Sequence, residues 1–155
     1  MATTTAKTNA MSTKLLKWFP TRLLLFGGLV FLAMTNFTLN VSDSATPVGI
    51  YRIRPVAKVS RGDLVYLRMP IKQVWALPGD HVTFTPEGIY REGQLIPNSA
   101  PELGIPHRFP YGTYTVPPEM FLGMGTHNPD SWDGRYVGFL PLSIIAGKVS
   151  PIWPR

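Results

Sequence analysis

The 155-residue chain contains no cysteine, which excludes thiol catalysis, disulfide bridges and thiolate metal sites and leaves the redox compartment unread. Charged residues are sparse at 15%, and none of the acids precedes Asp43. The basic excess is therefore lopsided: of the net +6, residues 1–42 carry +4 through Lys7, Lys14, Lys17 and Arg22. No basic stripe interleaved with aromatics follows, so no nucleic-acid partner is expected. The three histidines, His81, His107 and His127, stand at spacings that match no compact ligand set. Neither a metal nor a cofactor is expected. Repeats and low-complexity tracts are absent as well, and the length allows one modest domain with a single core plus a short appendage.

What is present begins with one apolar run, Leu23 to Leu39, 17 residues without a charge. At 1.5 Å per helical residue that is near the lower limit for a hydrocarbon core of about 30 Å. A retained transmembrane anchor is the leading expectation. A cleavable secretory signal shares the basic start and apolar middle, but the polar end, Thr-Asn-Phe-Thr-Leu-Asn-Val, has no small-x-small cleavage site. A buried core helix is the third alternative, without amphipathic helices downstream to pack on it. With the cations on the N-terminal side, residues 1–22 read as a cytoplasmic leader, 23–39 as the anchor and 40–155 as an exported domain. In a bacterium this is a single-pass inner-membrane protein with a periplasmic body.

Beyond the run, 16 prolines and 14 glycines without a period point to short strands and many turns. Strands are expected at 49–54, 63–67, 72–77, 81–85, 89–91, 111–116 and 120–125. Pro86-Glu87-Gly88 joins two of them as a hairpin, Gly93 closes a further turn, and 98–110 is a loop or flap. The tail from Val137 to Trp153 holds another apolar run. Period-two alternation in 72–77 puts Lys72, Val74 and Ala76 on one face. The fold class is mainly β, one domain behind one N-terminal transmembrane helix.

Ser44 follows the apolar run within Asn40-Val-Ser-Asp-Ser-Ala-Thr-Pro-Val-Gly-Ile-Tyr51. A serine hydroxyl needs a base, and a lysine serves as one only when burial lowers its pKa. Lys72, among Ile71, Val74, Trp75, Ala76 and Leu77, has the setting for that. Taken singly, each has an ordinary explanation, a turn or capping serine and an edge-strand lysine that deters aggregation. The glutamates Glu87, Glu92, Glu102 and Glu119 read as solvated surface, and Trp75 as core. Tyr51 and Trp153 are candidates for the bilayer interface.

Four motifs in order change the weighing of Ser44 and Lys72: Ser42-Asp-Ser-Ala-Thr-Pro47, Arg61-Gly-Asp-Leu-Val65, Lys72-Gln-Val-Trp-Ala-Leu-Pro-Gly-Asp80 and Ser131-Trp-Asp-Gly-Arg-Tyr-Val-Gly138. Together they resemble the type I signal peptidases over roughly residues 20–150. The short chain and the continuation Pro47-Val-Gly-Ile-Tyr51 look closest to the conjugative-transfer, TraF-type branch that matures pilin subunits. The resemblance implies a membrane-anchored serine endopeptidase with Ser44 as acylating nucleophile and Lys72 as general base. It implies an oxyanion site at the Ser44 backbone N–H, with the Ser42 hydroxyl as second donor. Ser131 would orient the Lys72 amine, and Asp133 would pair with Arg135 or a neighbour and support the last motif. Pro47 and Gly49 would shape the turn presenting Ser44, and Arg61-Gly62-Asp63 would be a turn with a local ion pair. The implied partners are a precursor protein, a pilin in the conjugative version, the membrane, and conjugation or secretion machinery. Gly125-Thr-His-Asn128 departs from the family's usual Gly-Asp-Asn, and Gly134 stands where a serine usually follows the aspartate. The stretch between Asp80 and Tyr111 is too short for a large accessory β-domain. A broad-range leader peptidase and a catalytically idle periplasmic scaffold are the alternative functions.

Overall fold

A computed structural model describes residues 6–42, 45–67, 70–105 and 108–154, with side chains from residue 21 onward. The chain divides into two units, Met1–Asn36 and Phe37–Arg155. The first contains one helix, α1 (Ala6–Asn36). The apolar run contributes Leu23 to Asn36 to it, and its Leu23, Leu24, Leu25, Phe26 and Phe31 side chains are all well exposed. Among the described residues, no helix is long and apolar enough to cross a membrane. The last residues of the run, Phe37 to Leu39, are not helical: they open the first strand of the second unit.

That unit is built of β1 (Phe37–Asn40), β2 (Gly49–Arg54), β3 (Leu64–Tyr66), β4 (Ile71–Ala76), β5 (His81–Thr85), β6 (Gly88–Arg91), β7 (Gln94–Leu95), β8 (Gly112–Thr115), β9 (Met120–Met124), the short helix α2 (Gly134–Val137), β10 (Leu140–Pro141), a 3₁₀ turn (Leu142–Ile144) and β11 (Gly147–Pro154). Seven strands pair in the order β1-β2-β11-β3-β4-β9-β10 and four in the order β7-β6-β5-β8, every pairing antiparallel. The expected hairpin at 81–91 and the turn at Gly93 are both present, as β5-β6 and β6-β7. The stretch between Asp80 and Tyr111 supplies three of the four strands of the smaller sheet.

The main core lies where the sheets meet: Ala76, Leu122 and Met124 from the larger one pack with Val82, Phe84 and Ile89 from the smaller. An aromatic group closes it, with Phe84 4.7 Å from Phe109 and 5.9 Å from Phe139 between ring centroids. Such tilted and edge-on pairs suit the ring quadrupoles. Further apolar clusters form around Tyr51, Ile71 and Val149 and around Val65, Val74 and Phe121. Trp75 packs against the main core.

Two expectations about β2 are corrected. Tyr51 is not an interface residue: it is fully buried, and its hydroxyl donates to the Pro47 carbonyl at 2.7 Å. Gly49 is the first residue of β2 and not a turn residue, facing Asn40 across the β1-β2 ladder. A Cβ there would strike the Trp153 carbonyl and come within 2.8 Å of Pro154 Cα, so the close passage of β11 requires glycine.

In the turn at Arg61-Gly62-Asp63 the charges pair with distant residues where a local ion pair was expected. Asp63 instead meets Lys148 Nζ at 2.7 Å, and Arg61 reaches Asp80, with Nε donating to Oδ2 at 2.7 Å and a second contact between Nη2 and Oδ1. Asp80 is buried and also accepts the Leu77 N–H at 2.9 Å, closing the Pro78-Gly79 turn. The Arg61 hydrogen bond holds the Asp80 carboxyl below its ordinary range. A depressed carboxylate stabilises the fold fully above its unfolded pKa, and that contribution fades as pH falls through the lower folded value. Asp80→Asn is therefore expected to destabilise the domain by about 1–3 kcal/mol at pH 7. The deficit should shrink towards pH 3 in urea unfolding curves, and a pH-independent difference would contradict the assignment.

Candidate active site

Lys72 lies on β4, the fifth strand across the seven-stranded sheet, flanked by β3 and β9. The predicted alternation holds: Lys72, Val74 and Ala76 are all buried, while Gln73 and Trp75 are partly exposed. Only 3% of Lys72 is exposed, and its Nζ donates to Ser131 Oγ at 2.7 Å. Removal from water disfavours the ammonium and lowers its pKa to about 8; nearby Asp133 acts in the opposite sense and nearby Arg135 in the same one. A lysine so placed is substantially neutral at mildly alkaline pH and can take a proton from a hydroxyl.

Ser131, Asp133 and Arg135 are likewise buried. Asp133 caps α2: its Oδ1 accepts the Arg135 N–H at 3.0 Å, and its Oδ2 accepts the Gly125 N–H at 2.7 Å. The Arg135 guanidinium returns to the same carboxylate in a two-pronged contact, Nε to Oδ1 at 2.9 Å and Nη2 to Oδ2 at 2.8 Å. Its remaining N–H groups reach the carbonyls of Asn98 at 3.0 Å, Gly125 at 3.3 Å and Pro129. One guanidinium therefore ties three separate segments, 98–100, 125 and 128–129, to the strand-helix junction that presents Ser131. This use of a planar fork is not available to lysine.

The glycine at 134 has a steric reason. A Cβ there would run into the Leu122 side chain and come within 3.2 Å of the Gly123 carbonyl and of Met124 Sδ. The helix starts flush against β9, where a serine would force the two apart.

Ser44, with Asp43, lies outside the described residues. Ser42 is exposed, and its hydroxyl donates to Asn40 Oδ1 at 3.1 Å. The structure thus joins Lys72 to Ser131 and Asp133 to Arg135, and it places Ser42 against a residue that the motifs did not single out. Asn40 and Tyr51 are the side chains missed by sequence reasoning. A polar side chain at the end of an apolar run was the available signal for the first. Next to Ser42, a cleft of about 300 Å³ is lined by Leu39, Val41, Tyr66 and Ile71 among others. His107 is outside the described residues, and among the described residues no cluster of histidine, aspartate and glutamate side chains could hold a metal ion.

A mainly β domain that buries a lysine amine against a serine hydroxyl provides the water-poor setting in which that amine can be neutral and act as a base. The profile of the family described as signal peptidase, peptidase S26, matches residues 12–153. The chain belongs to that family. It is similar to a probable signal peptidase I-2 of Synechocystis, 29% identical over 85 residues, which cover 54% of this chain and 38% of that protein. A signal peptidase I of Bacillus caldolyticus is 28% identical over 104 residues, covering 54% of this chain and 53% of the other. The chain thus spans about half or less of the length of these curated relatives. A crystal structure of a signal peptidase I from Enterococcus faecalis aligns with a TM-score of 0.42 at 22% identity, over 61% of this chain and 99% of that one.

Proposed function

We propose that the protein is a membrane-anchored serine endopeptidase that cleaves exported precursor proteins, with Ser44 as nucleophile and Lys72 as general base. The observation that supports it best is the buried Lys72 amine, depressed to about 8 and hydrogen-bonded to Ser131. In this reading the neutral amine takes the Ser44 proton as the hydroxyl adds to the scissile carbonyl. It then delivers that proton to the departing amine. Water repeats the sequence on the Ser44 ester, releasing the acid and regenerating the hydroxyl. The Ser44 N–H and the Ser42 hydroxyl are the proposed oxyanion donors, the latter turning from Asn40 Oδ1 while the Asn40 Nδ2 bonds to the Thr46 and Pro47 carbonyls hold. The Asp133–Arg135 pair acts one step away, by fixing Ser131.

Anchoring is supported by the uncharged stretch of α1 from Leu23 to Asn36 behind a basic leader, and by exposed apolar groups on β1, β2 and β11 and just after β1. Leu39, Val41, Ile50 and Trp153 are between 44% and 68% exposed and share the lining of one apolar pocket. In a bacterium this reading places the domain in the periplasm at the inner-membrane surface.

The finer substrate reading is a conjugative pilin. It is supported by the Pro47-Val-Gly-Ile-Tyr51 continuation and by the small size of the second sheet, which favours a dedicated substrate over a broad range. In that version a substrate amine can replace water on the Ser44 ester, forming a peptide bond and closing the pilin into a ring. A matured pilin lighter than its linear form by one water would identify ring closure.

Ser44→Ala tests the enzyme reading directly. Unprocessed precursor is expected to accumulate, with the cleavage rate reduced by roughly 10³-fold or more. Undiminished processing by this variant would leave the scaffold reading in its place.

A further inference from the structure

We propose that Asn40 is a positioning residue for the nucleophile, stapling shut the loop between β1 and β2 that carries Ser44. The inference rests on the reading of Ser44 as nucleophile. The loop begins after the Asn40-Gly49 pair that ends the β1-β2 ladder. Asn40 stands at its mouth, only 5% exposed, and bonds to both of its flanks. Its Nδ2 donates to the Thr46 carbonyl at 2.9 Å and to the Pro47 carbonyl at 3.0 Å. Its Oδ1 accepts the Ser42 hydroxyl at 3.1 Å and lies 3.5 Å from the Ser42 N–H. The amide orientation follows from chemistry, since carbonyls face the nitrogen and donors face the oxygen.

Tyr51 completes the staple from the opposite strand. Its fully buried hydroxyl lies 2.7 Å from Thr46 Oγ1 and donates to the same Pro47 carbonyl at 2.7 Å. Ser42 on one flank and Thr46 and Pro47 on the other are thereby tied to rigid strands, with Ser44 midway between them in sequence. A connection of this length between two strands has many accessible conformations unless it is cross-linked. Few of these keep a nucleophile within the fraction of an ångström that acyl transfer needs. Asparagine suits the position because only a side-chain amide offers two donors and an acceptor at that reach. Aspartate has the same shape, yet it would set a carboxylate against two carbonyl oxygens.

The test is pre-steady-state acylation of the full chain by an activated ester of a short peptide ending in a small residue. The burst amplitude counts competent molecules, and the burst rate constant reports how well the nucleophile is placed. Asn40→Asp is expected to lower the rate constant by roughly 10²-fold, with an amplitude close to the parent's for the folded fraction and KM changed by less than about twofold. Tyr51→Phe should lower it less, and the two effects should not multiply in the double variant, because both act through Pro47. A role confined to stability would reduce the amplitude and leave the rate constant alone, which would overturn the proposal. If Asn40→Asp does not fold, Tyr51→Phe decides: a parental rate constant overturns the proposal too. Ser44→Ala run in parallel must abolish the burst. A surviving burst there would overturn the nucleophile reading and this inference with it, whereas a burst lost there but unchanged in rate for Asn40→Asp would overturn this inference alone.

Discussion

Replacing Lys72 with Arg or Met is expected to reduce precursor cleavage by roughly 10³-fold or more, while Lys72→Met makes the folded domain more stable. Guanidinium does not surrender its proton in the working range, so arginine supplies the charge without the base. Activity of the parent should climb as pH passes about 8, where half of the Lys72 amine is neutral. The stability argument has its own sign. Because burial depresses Lys72 from 10.5 to about 8, the unfolded chain binds more protons than the folded one between these values, and stability rises with pH across that window. Below it, the fold carries the full cost of a buried ammonium. Methionine keeps the aliphatic length without that cost, so Lys72→Met should gain about 1–3 kcal/mol at pH 7, with the gain fading above pH 8. Chemical denaturation of both forms at pH 7 and pH 10 measures it. A parent that is equally stable at both values and a variant that is less stable would contradict a desolvated lysine.

How much of this was readable beforehand depends on the range of the interactions. The face that Lys72 shares with Val74 and Ala76 was legible because period-two alternation in a strand is local, whereas an edge-strand lysine stayed open until the flanking β3 and β9 showed the strand to be internal. The hairpin of β5 and β6 was legible for the same reason. Partners distant in sequence were not: Arg61 meets Asp80 and Asp63 meets Lys148, where a local pair within the turn was the natural expectation. β11 escaped notice as a strand because Pro151 and Pro154 discourage that assignment. It tolerates them because β3 pairs only with its first two residues and its register to β2 shifts just after Pro151. Tyr51 reads as an interfacial aromatic in a stretch near the anchor, and only the packing of Ile71 and Val149 against it shows why it is interior. Asn40 sits at the end of a run whose apolar character dominates any reading, so its role was hidden by its neighbours.

Arg135→Met should be among the most damaging single substitutions in the domain, costing about 3–5 kcal/mol against a total stability of about 5–15 kcal/mol for domains of this kind. The side chain is fully enclosed. Its removal leaves the Asp133 carboxylate buried without its cation and takes the donor from the carbonyls of Asn98, Gly125 and Pro129. Asp133→Asn fails for the converse reason, since the guanidinium then lacks its charge partner. The double variant is expected to lose less than the sum of the two, because neither orphan charge remains. Activity distinguishes the partners further. Asp133 raises the Lys72 pKa and Arg135 lowers it, so the midpoint of the pH–rate profile should move to lower pH in Asp133→Asn and to higher pH in Arg135→Met. Measuring both midpoints on the folded fraction separates an electrostatic contribution to Lys72 from simple loss of structure. Unfolding reduces the rate at every pH and moves neither midpoint, whereas charge removal moves them in opposite directions.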